Sequence, residues 1–96
     1  MSIILEQIGH NVCIYADEPI SISLYEYINN ELQQPSIYSE KVISTHSQTG
    51  TEVHTAMIEV INTNIDTILH SLVDRFHGNV RNIEGKYYIE ISHLQI

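Results

Sequence analysis

The stretch TNIDTILHSLVDRFHG, residues 63–78, leaves little choice of structure. Ile65, Ile68, Leu69, Leu72, Val73 and Phe76 recur at spacings of three, one, three, one and three. On a helix these side chains form one apolar stripe. Asp66, His70, Ser71, Asp74 and His77 fall largely on the other face. Both ends are marked. Thr63 or Asn64 can accept from the free N–H groups of the first turn, and Asp66 adds negative charge there. Arg75 and His77 sit in the last turn, and Gly78 is expected to supply the left-handed residue that closes it. Such a helix needs a partner surface, which the rest of the chain must supply.

Working outward, the flanking segments read as strands. Ser2–Ile8 is rich in Ile and Leu, and Val12, Ile14 and Ala16 alternate with Cys13, Tyr15 and Asp17. With the turn-like Gly9-His10-Asn11 between them they form a hairpin. Asp17-Glu18-Pro19 breaks the second strand. Ser23-Leu24-Tyr25-Glu26 has the S-x-x-E form of a capping box, with Ile22 and Tyr27 placed as a staple. A first helix is therefore expected after Ser23, with Leu24, Tyr25, Ile28 and Leu32 inward, ending at Gln34-Pro35. Residues 38–47 and 52–62 read as strands around a turn at 48–51. In the second of these, His54, Ala56, Ile58 and Val60 share one face and Val53, Thr55, Met57, Glu59 and Ile61 the other. Apolar residues on both faces predict a central position in a sheet. After the 63–78 helix come Asn79–Ile83, a Glu84-Gly85 hairpin turn, and a last strand from Lys86 to Leu94.

The order is ββαββαβ(β). Without its first strand this is βαββαβ, so the expected fold is α+β and ferredoxin-like: an antiparallel sheet, two helices on one face and an extra N-terminal strand. At 96 residues and 43% apolar content, one domain, 1–96, with its own core is expected. The single cysteine, Cys13, allows no intrachain disulfide, and Met1-Ser2 opens no basic leader; a reducing cytoplasm is the expected location.

Charge narrows the function classes. Twelve Asp and Glu oppose four Lys and Arg, a net of −8. Glu6, Asp17, Glu18, Glu26, Glu31 and Glu40 all precede Lys41, the first basic residue. Nucleic acid and anionic membranes require the opposite sign, so neither is an expected direct partner. A basic protein is.

Catalytic chemistry finds little support. Six histidines invite a metal site, but His70 and His77 lie two turns apart, roughly 10 Å along a helix. His46 and His54 flank a turn, and nothing fixes them with His10 or His93; solvated surface histidines are the plainer reading. Cys13 has no basic neighbour in sequence to activate it. There is no serine elbow and no phosphate-cradling glycine motif. Asp17 and Glu18 are adjacent on an extended segment and so diverge; a solvated turn is the plainer reading. No catalytic residue, metal or cofactor is expected.

What remains is the acidic, tyrosine-bearing first third: Tyr15, Asp17, Glu18, Tyr25, Glu26, Asn29, Asn30 and Glu31. Tyrosines give contact area at low entropy cost, and carboxylates pair with Arg and Lys. The plainer alternative is a solvated helix face whose tyrosines belong to the core. The functional expectation is a non-enzymatic, immunity-protein-like inhibitor. It would occlude a basic partner such as a nuclease toxin or a nucleic-acid-handling defence complex. The alternative is a small homodimeric regulatory or assembly domain, paired through the sheet face bearing Val53, Met57 and Ile61.

Overall fold

The computed structural model describes residues 2–47 and 50–91, with side chains outside 43–52. Among these residues the elements are β1 (Ser2–Ile8), β2 (Asn11–Ala16), α1 (Ile20–Asn30), β3 (Ser36–Ser47), β4 (Gly50–Val60), α2 (Ile65–Phe76), β5 (Asn79–Ile83) and β6 (Lys86–Glu90). The order of strands and helices is the one read from the sequence. The part of the expected last strand at 92–94 lies outside the described residues.

The strands form one antiparallel sheet in the order β3-β4-β2-β1-β6-β5. β4 lies between β3 and β2, as its two apolar faces require. In a four-stranded ferredoxin-like sheet the strand after α2 would pair with β2. Here β1 holds that place, because a two-residue turn folds it directly back onto β2. The hairpin after α2 is displaced outward, so β6 pairs with β1 and β5 forms the edge. The class is therefore α+β with two helices, and the strand order departs from the expected one on this side.

Both helices pack on one face. Ile3 and Leu5 from β1, Val12, Ile14 and Ala16 from β2, Ile58 and Val60 from β4 and Ile89 from β6 meet Ile20, Leu24 and Ile28 of α1 and Ile68, Leu72 and Phe76 of α2. The strand residues follow the period of two, and the helix residues recur every four. Each fully buried Ile or Leu here contributes about 1.5–3 kcal/mol of transfer free energy.

α1 differs from its expected bounds. It starts at Ile20, and its cap residue, Pro19, makes no side-chain cap bond. Ser21 and Ser23 instead donate their backbone N–H groups to the carbonyls of Asp17 and Pro19, at 2.9 and 3.2 Å. This earlier start brings Ile20 into register with Leu24 and Ile28, and burial of that stripe outweighs the S-x-x-E signal. Ile22 is 43% exposed, and Tyr27 packs edge-on against Phe76. The helix also ends before Pro35. Gln33 takes φ 54°, and Gln34 N–H reaches back to Ile28 O at 3.0 Å.

α2 begins as expected, with the Asn64 side chain accepting from Asp66 N–H at 2.8 Å. Its left-handed closing residue is His77, φ 55°, and not Gly78. Glycine at 78 answers a different need. A Cβ there would press into Ile89 Cγ2 and stand 2.8 Å from Glu90 O. At the β5–β6 turn, Glu84 and Gly85 both take positive φ, as a two-residue hairpin loop requires.

Candidate partner-binding surface

The acidic, tyrosine-bearing first third is divided by the fold into separate places. Tyr15 lies on the sheet face away from the helices, clustered with Ile4, Cys13 and Tyr88. Its hydroxyl donates to Glu6 Oε1 at 3.3 Å. Burial, then the neighbouring Cys13 and Glu6, push its phenol well above the usual range. Tyr25 is on the opposite side, packed edge-on against Tyr38 at 5.4 Å. Tyr38 in turn shares a 2.8 Å hydrogen bond with Ser21. Asn29 donates to Tyr25 O at 2.8 Å and to Ser36 Oγ at 2.9 Å, tying the end of α1 to the start of β3. Tyr25 and Asn29 therefore help to hold α1 in place.

Glu26, Asn30 and Glu31 remain at the surface. With Ser23, Tyr27 and Arg75 they line a shallow depression between α1 and α2. Ile22, Glu26 and Asn30 are exposed at helical spacing along α1. Arg75 reaches this site from α2 and also stacks over Phe76, 5.2 Å from the ring centre.

Asp17 and Glu18 belong to a second depression, which they line with Glu40, Lys41, Val42, Val53 and Thr55. A register shift between Glu40 and Ile43 interrupts the β3–β4 ladder. Lys41 and Val42 fall in that bulge, where the chain leaves the regular pleat. Val42 is 73% and Val53 54% exposed, so two apolar side chains stand in water amid three carboxylates. Asp17 is anchored as well as exposed. Its Oδ1 accepts from Thr55 N–H at 2.9 Å and Thr55 Oγ at 3.2 Å. Alternation marked Val53 as outward-facing in the sequence. Nothing there marked the bulge that adds Glu40, Lys41 and Val42.

Among the described residues the histidines do not assemble, and the candidate His93 lies outside them. The strand register sets His54 opposite Ile43 and His46 opposite Thr51, so the two are not cross-strand neighbours. His54 is 3% exposed, against the expectation of solvated histidines; its place on the helix-side face of β4 buries it, with Asp17 Oδ1 4.0 Å from Nδ1. Among the described residues no three His, Cys, Asp or Glu side chains come together as a metal site. Cys13 is buried, and its thiol is pushed up by that burial, then by Glu59 and Glu6. No described helix is long and apolar enough to cross a membrane. Comparison with protein-family models, with curated proteins and with solved structures finds no match.

Proposed function

We propose that this protein is a non-enzymatic acidic binding protein that docks on a basic protein and covers its working surface. The observation that carries this reading is the depression where Asp17, Glu18 and Glu40 surround the exposed Val42 and Val53. An apolar centre inside a charged rim is the arrangement of a protein interface, and the sign of the rim selects a cationic partner. The exposed Glu26 and Asn30 of α1, with Glu31 just after it, form a second acidic patch in a separate place, which adds to the field that attracts a cationic partner. A nuclease toxin or a nucleic-acid-handling defence complex has the required character, since its nucleic-acid-binding surface must be rich in Lys and Arg. Inhibition is then steric and electrostatic, and needs no chemistry from this chain.

The test is capture of partners from the native host, followed by kinetics with charge-reversed protein. Association is expected to slow as salt rises. Reversal of Asp17, Glu18, Glu26 and Glu31 to Lys should cut the association rate by about tenfold or more and flatten the salt dependence. If rate, affinity and salt dependence of a verified complex all survive the reversal, the reading fails.

A further inference from the structure

The sheet ends in two edge strands, β3 and β5. An edge strand leaves the N–H and C=O of every second residue facing outward. On β3 one bond shows which residues these are. Ile61 N–H donates to Pro35 O at 2.9 Å, so the backbone groups of Ile37 and Ser39, in step with Pro35, turn toward β4. Those of Ser36, Tyr38 and Glu40 turn outward, and among the described residues no backbone group pairs with them. The register is regular from Ser36 to Glu40 and shifts only beyond it. This stretch is an open edge about 17 Å long. Its side chains alternate between the two sheet faces. Ser36 and Tyr38 lie on the helix side, bonded to Asn29 and Ser21. Ile37 lies on the other side and is 55% exposed. At Glu40 the edge runs into the depression that also holds Asp17, Glu18 and Val42.

We infer that this edge takes up an extended segment of the partner as a further strand of the sheet, resting on the docking to a cationic protein proposed above. Backbone hydrogen bonds to Ser36, Tyr38 and Glu40 hold the segment, and its side chains decide which segment fits. Ile37 and Glu40 are three positions apart and on opposite faces. The fitting segment therefore carries an apolar residue and a Lys or Arg three positions apart, whichever way its chain runs. The apolar side chain covers Ile37, and the cation lies beside Glu40 with Glu18 and Asp17 in the same depression. These carboxylates are available. Among the described residues neither Glu18 nor Glu40 has an ion-pair partner, and Lys41 is the only basic side chain lining the depression.

Charge also separates this edge from the other one and this occupant from a second copy. β5 carries Arg81 and no carboxylate, and Arg81 is already paired with Glu90 at 3.3 Å. A cationic segment is repelled there and attracted to β3. A second copy would bring the same acidic depression against this one, with −8 on each chain.

NMR of the isotope-labelled full chain tests the inference with an end-blocked peptide of alternating Lys and Val, about seven residues long. In such a peptide any two residues three apart are one cation and one apolar side chain. Binding at low salt is expected with a Kd of about 0.1–1 mM. The amides of Ser36, Tyr38 and Glu40 should shift and exchange several-fold more slowly, whereas those of Ile37 and Ser39, already turned to β4, should keep their exchange rates. A peptide with Glu in place of Lys should not bind. Glu40→Pro removes an outward N–H, at a position where an edge strand tolerates proline, and should weaken binding by about tenfold or more with thermal unfolding near wild type. Glu40→Gln keeps that N–H and should cost only a few-fold. The alternating protection is read on the unaltered chain and so decides even if the proline variant does not fold. No shift at residues 36–40 up to about 5 mM peptide overturns the inference, as does protection without alternation or a folded Glu40→Pro that binds as well as wild type. A partner captured from the host separates this result from the docking itself. A complex that weakens on reversal of Asp17 and Glu18 but leaves the three amides exchanging freely keeps the docking and overturns the strand pairing.

Discussion

Gln7 uses both ends of its amide inside the protein. Its Nε2 lies 3.1, 3.0 and 3.1 Å from the carbonyls of Gly9, Asn11 and Thr63, and its Oε1 accepts from Ile65 N–H at 2.8 Å. One side chain on β1 thus holds the β1–β2 turn, the chain leaving β4 and the first turn of α2. A backbone bond from Thr63 N–H to His10 O, 2.8 Å, closes the same junction. Gln7→Ala leaves these part-buried groups without their partner and should lower stability by about 2–3 kcal/mol. Gln7→Met keeps the length of the side chain and should cost nearly as much, since the loss is polar. Urea denaturation at neutral pH measures both. Recovery of most of the stability by Met would mean that the clamp is packing and not hydrogen bonding. The role of Gln7 was not legible in the sequence, because its partners at 63 and 65 come near only when β4 and α2 are placed.

At the element scale the sequence showed where strands and helices lie, and less well what ends them. The stripe from Ile65 to Phe76 was read correctly because helix spacing is local. The end of α2 was read on the wrong residue. A glycine after a helix usually serves its backbone, but here His77 takes the left-handed conformation and Gly78 makes room for β6. Two substitutions separate these roles. Gly78→Ala should destabilise by about 1–3 kcal/mol, as crowding of a packed site does. His77→Gly should be neutral or stabilising by up to about 1 kcal/mol, since it relieves the cost of a left-handed non-glycine residue. Thermal unfolding of the pair decides, and a harmless Gly78→Ala would remove the close approach as the reason for that glycine. The start of α1 failed for a related reason. A capping box is a signal over four residues, whereas the buried Ile20, Leu24 and Ile28 answer to the sheet beneath them.

At the scale of the whole molecule, the strand order and the two-sided sheet were beyond local reading. Alternation in β4 showed that both faces carry apolar residues, but not that β1 would take the place beside β2. The same limit scattered the expected interface residues, since neighbours in sequence such as Tyr15 and Asp17 gained different surroundings. The face away from the helices also gives the fold an alkaline limit. Cys13 and Tyr15 are 5% and 8% exposed, close to Glu6 and Glu59, and both are held in their neutral forms. Their folded pKa values lie above the ordinary 9.0 and 10.0, so the stability they contribute is complete below pH 9 and is lost as pH rises toward the folded values. Above pH 9 the unfolded thiol releases its proton while the folded one keeps it, a slope of about −1.4 kcal/mol per pH unit, and above pH 10 Tyr15 adds a second such slope. Urea midpoints from pH 7 to pH 11 should therefore stay level and then fall. Cys13→Ala should remove the early part of the fall and Tyr15→Phe the later part, whatever each costs at pH 7. If the wild-type and double-variant curves stay parallel through pH 11, the protons are not held by this face, and the limit must be sought around Tyr27, whose phenol is also pushed up, first by burial and then by Glu31.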